Sequence, residues 1–176
     1  MRTVDEIMQH APIGFTVTVT KALEAAVAYT AGDVLSETDT ASAGTDWDFD
    51  GVGKGVGGYG RIVTAIVKSE SESIIPELRL YLFNVAPTNT ELDDNAAATV
   101  PHHDDSGFVG MIDFPAMTGN GDDSFAIATP GAVGNLPLYY VCASDDDALY
   151  GVLVTQDAFT QTATDDMTVT LVVEQL

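Results

Sequence analysis

The chain has 176 residues, enough for one domain that buries roughly two thirds of the surface its unfolded form exposes. Its 27 Asp and Glu outnumber 6 Lys and Arg for a net charge of −21, and no cation follows Arg79 although 15 carboxylates do. Such a surface repels phosphate backbones and anionic lipid, so neither nucleic acid nor membrane is an expected partner, while 45% hydrophobic residues is too apolar for a disordered acidic chain.

Residues 1 to 14 read as an N-terminal arm ahead of a β domain at 15 to 176; Val4 to Ala11 has room for two short helical turns. With Asp5 and Glu6 and no apolar run, this start lacks a secretory signal, so the chain is expected to be made in a cytoplasm. Phe15 to Thr20 alternates apolar residues with threonine, the pattern of a strand with one buried face. Leu23 to Ala28 is alanine-rich but runs into the turn chemistry of Thr30 to Asp33. The strands expected next are Arg61 to Lys68 and Leu78 to Phe83, both apolar on nearly both faces and therefore read as central strands between layers. Phe108 to Phe114, Ser124 to Ala128, Leu138 to Ala143, Leu149 to Thr155 and Met167 to Val173 follow, each bounded by Gly, Pro, Asn or Asp. Many short strands at this spacing predict an all-β fold, an antiparallel β-sandwich or jelly-roll-like single domain with long loops at Asp39 to Gly60 and Val85 to Gly107.

Motifs that promise chemistry carry little of it. Gly53-x-Gly55-x-x-Gly58 matches a dinucleotide fingerprint in letters, but a β-rich segment follows it where a helix is needed, so a flexible loop is expected. His102, His103, Asp104 and Asp105 are weak candidates for a metal site, because neighbours on an extended chain point to opposite sides. Asp93-Asp94-Asn95, Asn120 to Asp123 and Asp145 to Asp147 offer oxygens suited to calcium without the spacing of an EF-hand. Ser106, Ser124 and Ser144 have no nucleophile elbow around them, and the lone Cys142 sits in an apolar run as a buried thiol. No cofactor and no enzymatic activity are expected. Trp47 and Phe49 share one face of an extended Thr45 to Asp50, either laid on the core as an edge strand or, with Tyr59, exposed as anchors for a neighbouring subunit.

Several blocks occur in one order: Tyr29 to Leu35, the Gly-rich lead into Gly60 to Val63, Leu78 to Asn84 with Pro87, Leu92 to Asn95, Val109 to Pro115, Gly134 to Leu138, Val141 to Ser144 and Leu149 to Val154. This succession, over roughly residues 27 to 175, resembles a family of small virion structural proteins of tailed bacteriophages. The resemblance implies a capsid cement or head-decoration protein on the outside of the virion, with the major capsid protein as partner and a homo-oligomer, a trimer in the first place, as its form. Its contacts are expected at the two long loops. The alternatives are a lectin-like module of a head fibre or tail, binding host glycan through Trp47, Tyr59 and Tyr150, and a tail tube or head-completion protein.

Carboxylates with so few cationic partners repel one another, and screening relieves that repulsion. The unfolding temperature is therefore expected to rise as salt is added from low ionic strength, which a thermal scan across a salt series checks; an unchanged midpoint would mean that the acids are fully paired.

Overall fold

The structure, a computed structural model, describes residues 13–24, 28–100, 102–131, 135–161 and 163–176, with Ile13, His102, His103 and Asp105 described by backbone alone. The segment proposed to form helical turns at Val4 to Ala11 lies outside these residues. Two antiparallel sheets hold nearly all of the strand residues. The larger runs β1 (Ile13–Ala22), β13 (Asp166–Gln175), β5 (Tyr59–Ser69), β9 (Asp123–Ala128) and β8 (Thr118–Asn120), with β10 (Leu138–Val141) joining β9 along one edge of β5. The smaller runs β3 (Val34–Leu35), β11 (Leu149–Thr155), β6 (Leu78–Phe83) and β7 (Phe108–Phe114), with β4 (Trp47–Phe49) beside β3 on the edge of β11. A two-stranded ribbon of β2 (Ala28–Tyr29) and β12 (Phe159–Thr160) stands apart, its Tyr29 and Phe159 rings stacked at 4.6 Å.

Period-two patterning explains how the sheets face each other. On β13 the inner residues Met167, Val169, Leu171 and Val173 are fully buried, and they meet Leu78, Leu80, Leu82, Ile112 and Leu153 of the smaller sheet in one core. The all-β sandwich expected from the strand pattern is what the chain adopts, and β6, β7 and β11 have the ends read from sequence.

β6 is fully buried on its inner face and partly covered on its outer one, where Phe83 is buried and Arg79 and Tyr81 are part-buried, for a reason the pattern alone did not supply. Its inner face meets the other sheet, while the outer face, with β3 and β11, is roofed by Leu92, Ala98 and Val100 from the segment after β6, over Val34, Phe83, Val152 and Val154. That segment is stitched down by Val34 N–H to Ala96 O (2.9 Å), Asn95 N–H to Val34 O (2.9 Å) and Ala98 N–H to Gly32 O (2.7 Å). β5 departs from the expectation of two buried faces. Its Ile62, Ala65 and Val67 are buried, but Arg61, Val63, Thr64 and Ile66 lie half-exposed on an outer face with no such roof among the described residues.

Trp47 and Phe49 are 1% and 0% exposed, so β4 is the edge strand that lays its aromatics on the core, and neither ring is offered to a neighbouring subunit. The Trp47 indole N–H donates to Leu35 O at 3.0 Å, and Lys21 Nζ sits 5.8 Å from the ring centroid. Lys21 is itself buried, a cost met by giving each ammonium proton an acceptor: the Glu37 carboxylate, Thr45 O at 3.0 Å and Thr45 Oγ1 at 2.5 Å. This cluster ties β1 to the loop before β4. Trp47→Ala is accordingly expected to lower folding stability by about 3–5 kcal/mol through the cavity it leaves, checked by urea unfolding. A variant that unfolds like the parent chain would show that the ring contributes little to the core.

Candidate interaction surface

The outer face of the larger sheet differs from the rest of the molecule in its charge. Residues 7 to 23, 51 to 69, 124 to 144 and 167 to 173 contain no carboxylate, and these stretches supply β1, β5 and β10, with most of β9 and β13. The pairing registers set out the face row by row. Tyr139, Arg61, Glu174 and Gly14 form one row, with Val141 beside Tyr59 at its end. Thr64, Val172 and Thr16 form the next, followed by Ile127, Ile66, Thr170 and Thr18, and then Phe125, Lys68, Thr168 and Thr20. Asp166 and Asp123 stand at the rim as first residues of their strands, and the carboxylate of Glu174 is held by Arg61 through Nε at 2.8 Å and Nη2 at 2.7 Å. Two of the six cations, Arg61 and Lys68, therefore lie on this one face of a chain with net charge −21.

At one end the face turns aromatic. Tyr59, Tyr139, Val141 and Leu176 are 54%, 63%, 58% and 41% exposed, and Phe108 and Val85 continue the patch across the seam to the smaller sheet. A depression of about 260 Å³ lined by Asn84, Phe108, Val109, Tyr139, Tyr140 and Val141 marks that seam. Aromatic side chains carry about 150–250 Å² each, so this partly exposed group amounts to a few hundred Å², the size of the largest apolar patch on a typical monomer, which is often functional. At the other end, paired threonine hydroxyls bond across strands, Thr18 to Thr170 at 2.9 Å and Thr20 to Thr168 at 2.8 Å, leaving a flat surface of methyls and hydroxyls.

Of the residues singled out from sequence, Tyr59 alone of the aromatic trio lies on this face. Tyr150 is on the opposite sheet, its hydroxyl donating to Asp146, and Trp47 is in the core, so Trp47, Tyr59 and Tyr150 do not meet as one sugar platform. Tyr139 and Val141 went unnoticed because their strand looks uniformly apolar; only its place outermost on β5 exposes alternate residues.

Several of the candidate ligand groups are used within the fold. Asp104, at the centre of the short 3-10 helix His102–Gly107, accepts from Asn89 N–H at 3.2 Å, Asn89 Nδ2 at 3.1 Å and Thr90 Oγ1 at 2.9 Å; the side chains of His102, His103 and Asp105 lie outside the described residues. Asp93 gathers the N–H groups of Ser42, Ala43 and Gly44 at 2.7–3.1 Å, which pull its pKa down. A Cβ on Gly44 would stand 2.1 Å from Leu92 O, so only glycine fits there. Asp146 accepts from Tyr150 and from the N–H groups of Asp147 and Ala148. Among the described residues no group of three His, Cys, Asp or Glu converges on a metal position. The glycine stretch is a loop leading into β5, as expected, and its backbone is hydrogen-bonded to the chain around it. Gly53, Gly57 and Gly58 give their N–H groups to Asp147 O, Ala143 O and Gly55 O at 2.8–2.9 Å and so have none to offer a phosphate. Ser124 donates to Ile74 O, and burial together with Asp147 and Asp146 raises the Cys142 thiol to about 11.

No family model, curated protein or solved structure matches this chain.

Two carboxylates set opposite pH dependences. Burial of Asp94 raises its pKa to about 6 despite hydrogen bonds from Ser36 N–H (2.8 Å) and the Tyr29 hydroxyl (2.7 Å). Because the folded state holds that proton more tightly than an unfolded Asp of pKa about 3.9, stability rises as pH falls from 7 through 6 toward about 4, by about 2 kcal/mol. For Glu37, burial acts upward, but hydrogen bonds from Lys21, Thr45 and Ser36 outweigh it and hold the group at about 2. Its contribution is present above the unfolded value of about 4.3 and is lost as pH falls toward 2. Urea unfolding should therefore find a stability maximum near pH 4–5, and Asp94→Asn should flatten the rise between pH 7 and 5. An unflattened rise would assign it to general charge repulsion instead.

Proposed function

We propose that this protein is a structural component of a phage virion, a cement or decoration protein that docks on the major capsid shell from outside. The observation that carries the reading is the broad outer face of the larger sheet, emptied of free carboxylates and edged with exposed tyrosine, on a chain otherwise covered in them. A contact made there excludes water from threonine methyls and aromatic rings without burying unpaired charge, the main cost of docking an acidic protein. The remaining acidic surface faces solvent and keeps particles apart in salt. The order of family-like blocks from residue 27 onward supports the virion setting, and a mechanical role needs no cofactor or catalysis. Docking adds stability to the shell by mass action, since the protein binds only the assembled lattice.

The test is co-sedimentation of purified protein with expanded capsids that lack it. Binding is expected, with Tyr139→Asp weakening it at least about tenfold, as for the loss of an aromatic contact with a charge set in its place, while Ser73→Asp on an exposed loop has no effect. Protein left wholly in the supernatant, located on the tail, or bound instead to a host glycan through the tyrosine patch would overturn the cement assignment.

A further inference from the structure

The larger sheet ends in a strand that natural proteins seldom leave uncovered. β1 pairs with β13 across all ten of its residues, and among the described residues nothing pairs with its other edge. Open edges invite pairing with another chain and are usually blunted by shortness, bulges, proline or outward charge. β1 has none of these: its register with β13 is unbroken, and its outward residues are Gly14, Thr16, Thr18, Thr20 and Ala22, since Lys21 turns inward to Glu37 and Thr45. The other edges are guarded. β8 has three residues beside Asp122 and Asp123. β4 is flanked by Asp46 and Asp50. β3 is bonded to residues 95 and 96. The seam of β7 with β10 is crossed by Asn84 to Val141 O at 2.9 Å and Asn135 to Asp113 at 2.9 Å.

The core face of β1 is also unfinished. Phe15, Val17 and Val19 pack against the core but are only partly buried, whereas the residues opposite them on β13, Val173, Leu171 and Val169, are completely buried. A further strand beyond β1 would complete their burial.

From these observations we infer that the occupant of this edge is a second copy of the chain, its β1 antiparallel to the first about a two-fold axis at Val17. The sequence is self-complementary in that register. Val17 faces Val17, Phe15 faces Val19 and Thr16 faces Thr18, so core residues meet core residues and threonines meet threonines; a slip by one residue would set each against the wrong face. Charge favours the same strand: residues 7 to 23 hold no carboxylate, so β1 itself brings no acid to the contact, although Glu37 and Asp46 stand at its Lys21 end. The isologous pairing joins the two larger sheets and doubles the carboxylate-free face, and a two-fold replaces the three-fold expected from sequence. The pairing stands independently of shell binding, since a chain that docks on no capsid can still dimerise this way.

Analytical ultracentrifugation of the full chain tests it. The parent protein is expected to sediment as a dimer whose affinity rises with salt, because screening weakens the repulsion between the two bodies. Thr16→Glu with Thr18→Glu sets like charges opposite one another across the axis and is expected to weaken self-association at least about tenfold, leaving a folded monomer with a β-type circular dichroism spectrum. Val17→Cys is expected to form a covalent dimer on mild oxidation, whereas Asn120→Cys on β8 is not. A parent chain that stays monomeric at its highest soluble concentration overturns the inference. So does a dimer that survives the double substitution and yields no Val17→Cys cross-link, since its contact then lies elsewhere.

Discussion

The shortage of cations is the constraint on which the rest of this structure depends. Three of the six basic residues are visibly committed to carboxylates, Lys21 to Glu37, Arg61 to Glu174 and Arg79 to Asp113, and more than twenty acids must find other partners or open water. Backbone N–H groups take much of that role. Asp93 closes the turn at residues 42 to 44, Asp33 receives Thr30, Asp104 holds residues 89 and 90, Asp146 caps its own turn and Asp157 receives Glu77 N–H. A carboxylate aimed at loop N–H groups stays ionised and orders the loop at once. The long segments that sequence patterning leaves structureless are thereby built on aspartate rather than on hydrophobic packing alone.

The same constraint separates the two sheets. The smaller is roofed by the segment after β6, whose Asp93 and Asp94 tie it to the loop beyond β3 through Ser42, Ala43, Gly44 and Ser36, with Tyr29 on Asp94 as well. The larger has no roof among the described residues, and its strands carry threonine, valine and aromatics where acids would otherwise stand. A covered sheet tolerates apolar residues on both faces, and an open one ordinarily carries polar or charged residues outside. The larger sheet is open yet nearly free of acids, and the departure is confined to its outer face and the β1 edge.

Much of the fold was legible in the sequence. Alternation with period two located β1, and apolar runs bounded by turn residues located β7, β9, β11 and β13, while β6, read as apolar on nearly both faces, is buried inside and at Phe83 outside but only part-buried at Arg79 and Tyr81. Short edge pieces such as β3, β8 and β12 were not legible, since two or three residues are too few to show a period and their pairing is decided by what lies alongside. β5 was misread because half-exposed valine and isoleucine look the same in sequence as buried ones.

The interaction surface divides along the same line. The sequence by itself determined that the chain is acidic, all-β and poor in catalytic groupings, and that whole stretches lack carboxylates, for these are properties of local order and composition. Only the tertiary structure decided that those stretches lie side by side. β1 and β13, from opposite ends of the chain, pair residue for residue, and β5 joins them from the middle, so a face that is continuous in space is scattered over residues 13 to 175. For the same reason Trp47 and Phe49, which from sequence could lie on the core or serve as interface anchors, fold into the core, while Tyr139 and Val141, unremarkable in their apolar run, emerge exposed. Side-chain exposure depends on which strand is the neighbour, and that neighbour is chosen by pairing across the whole chain.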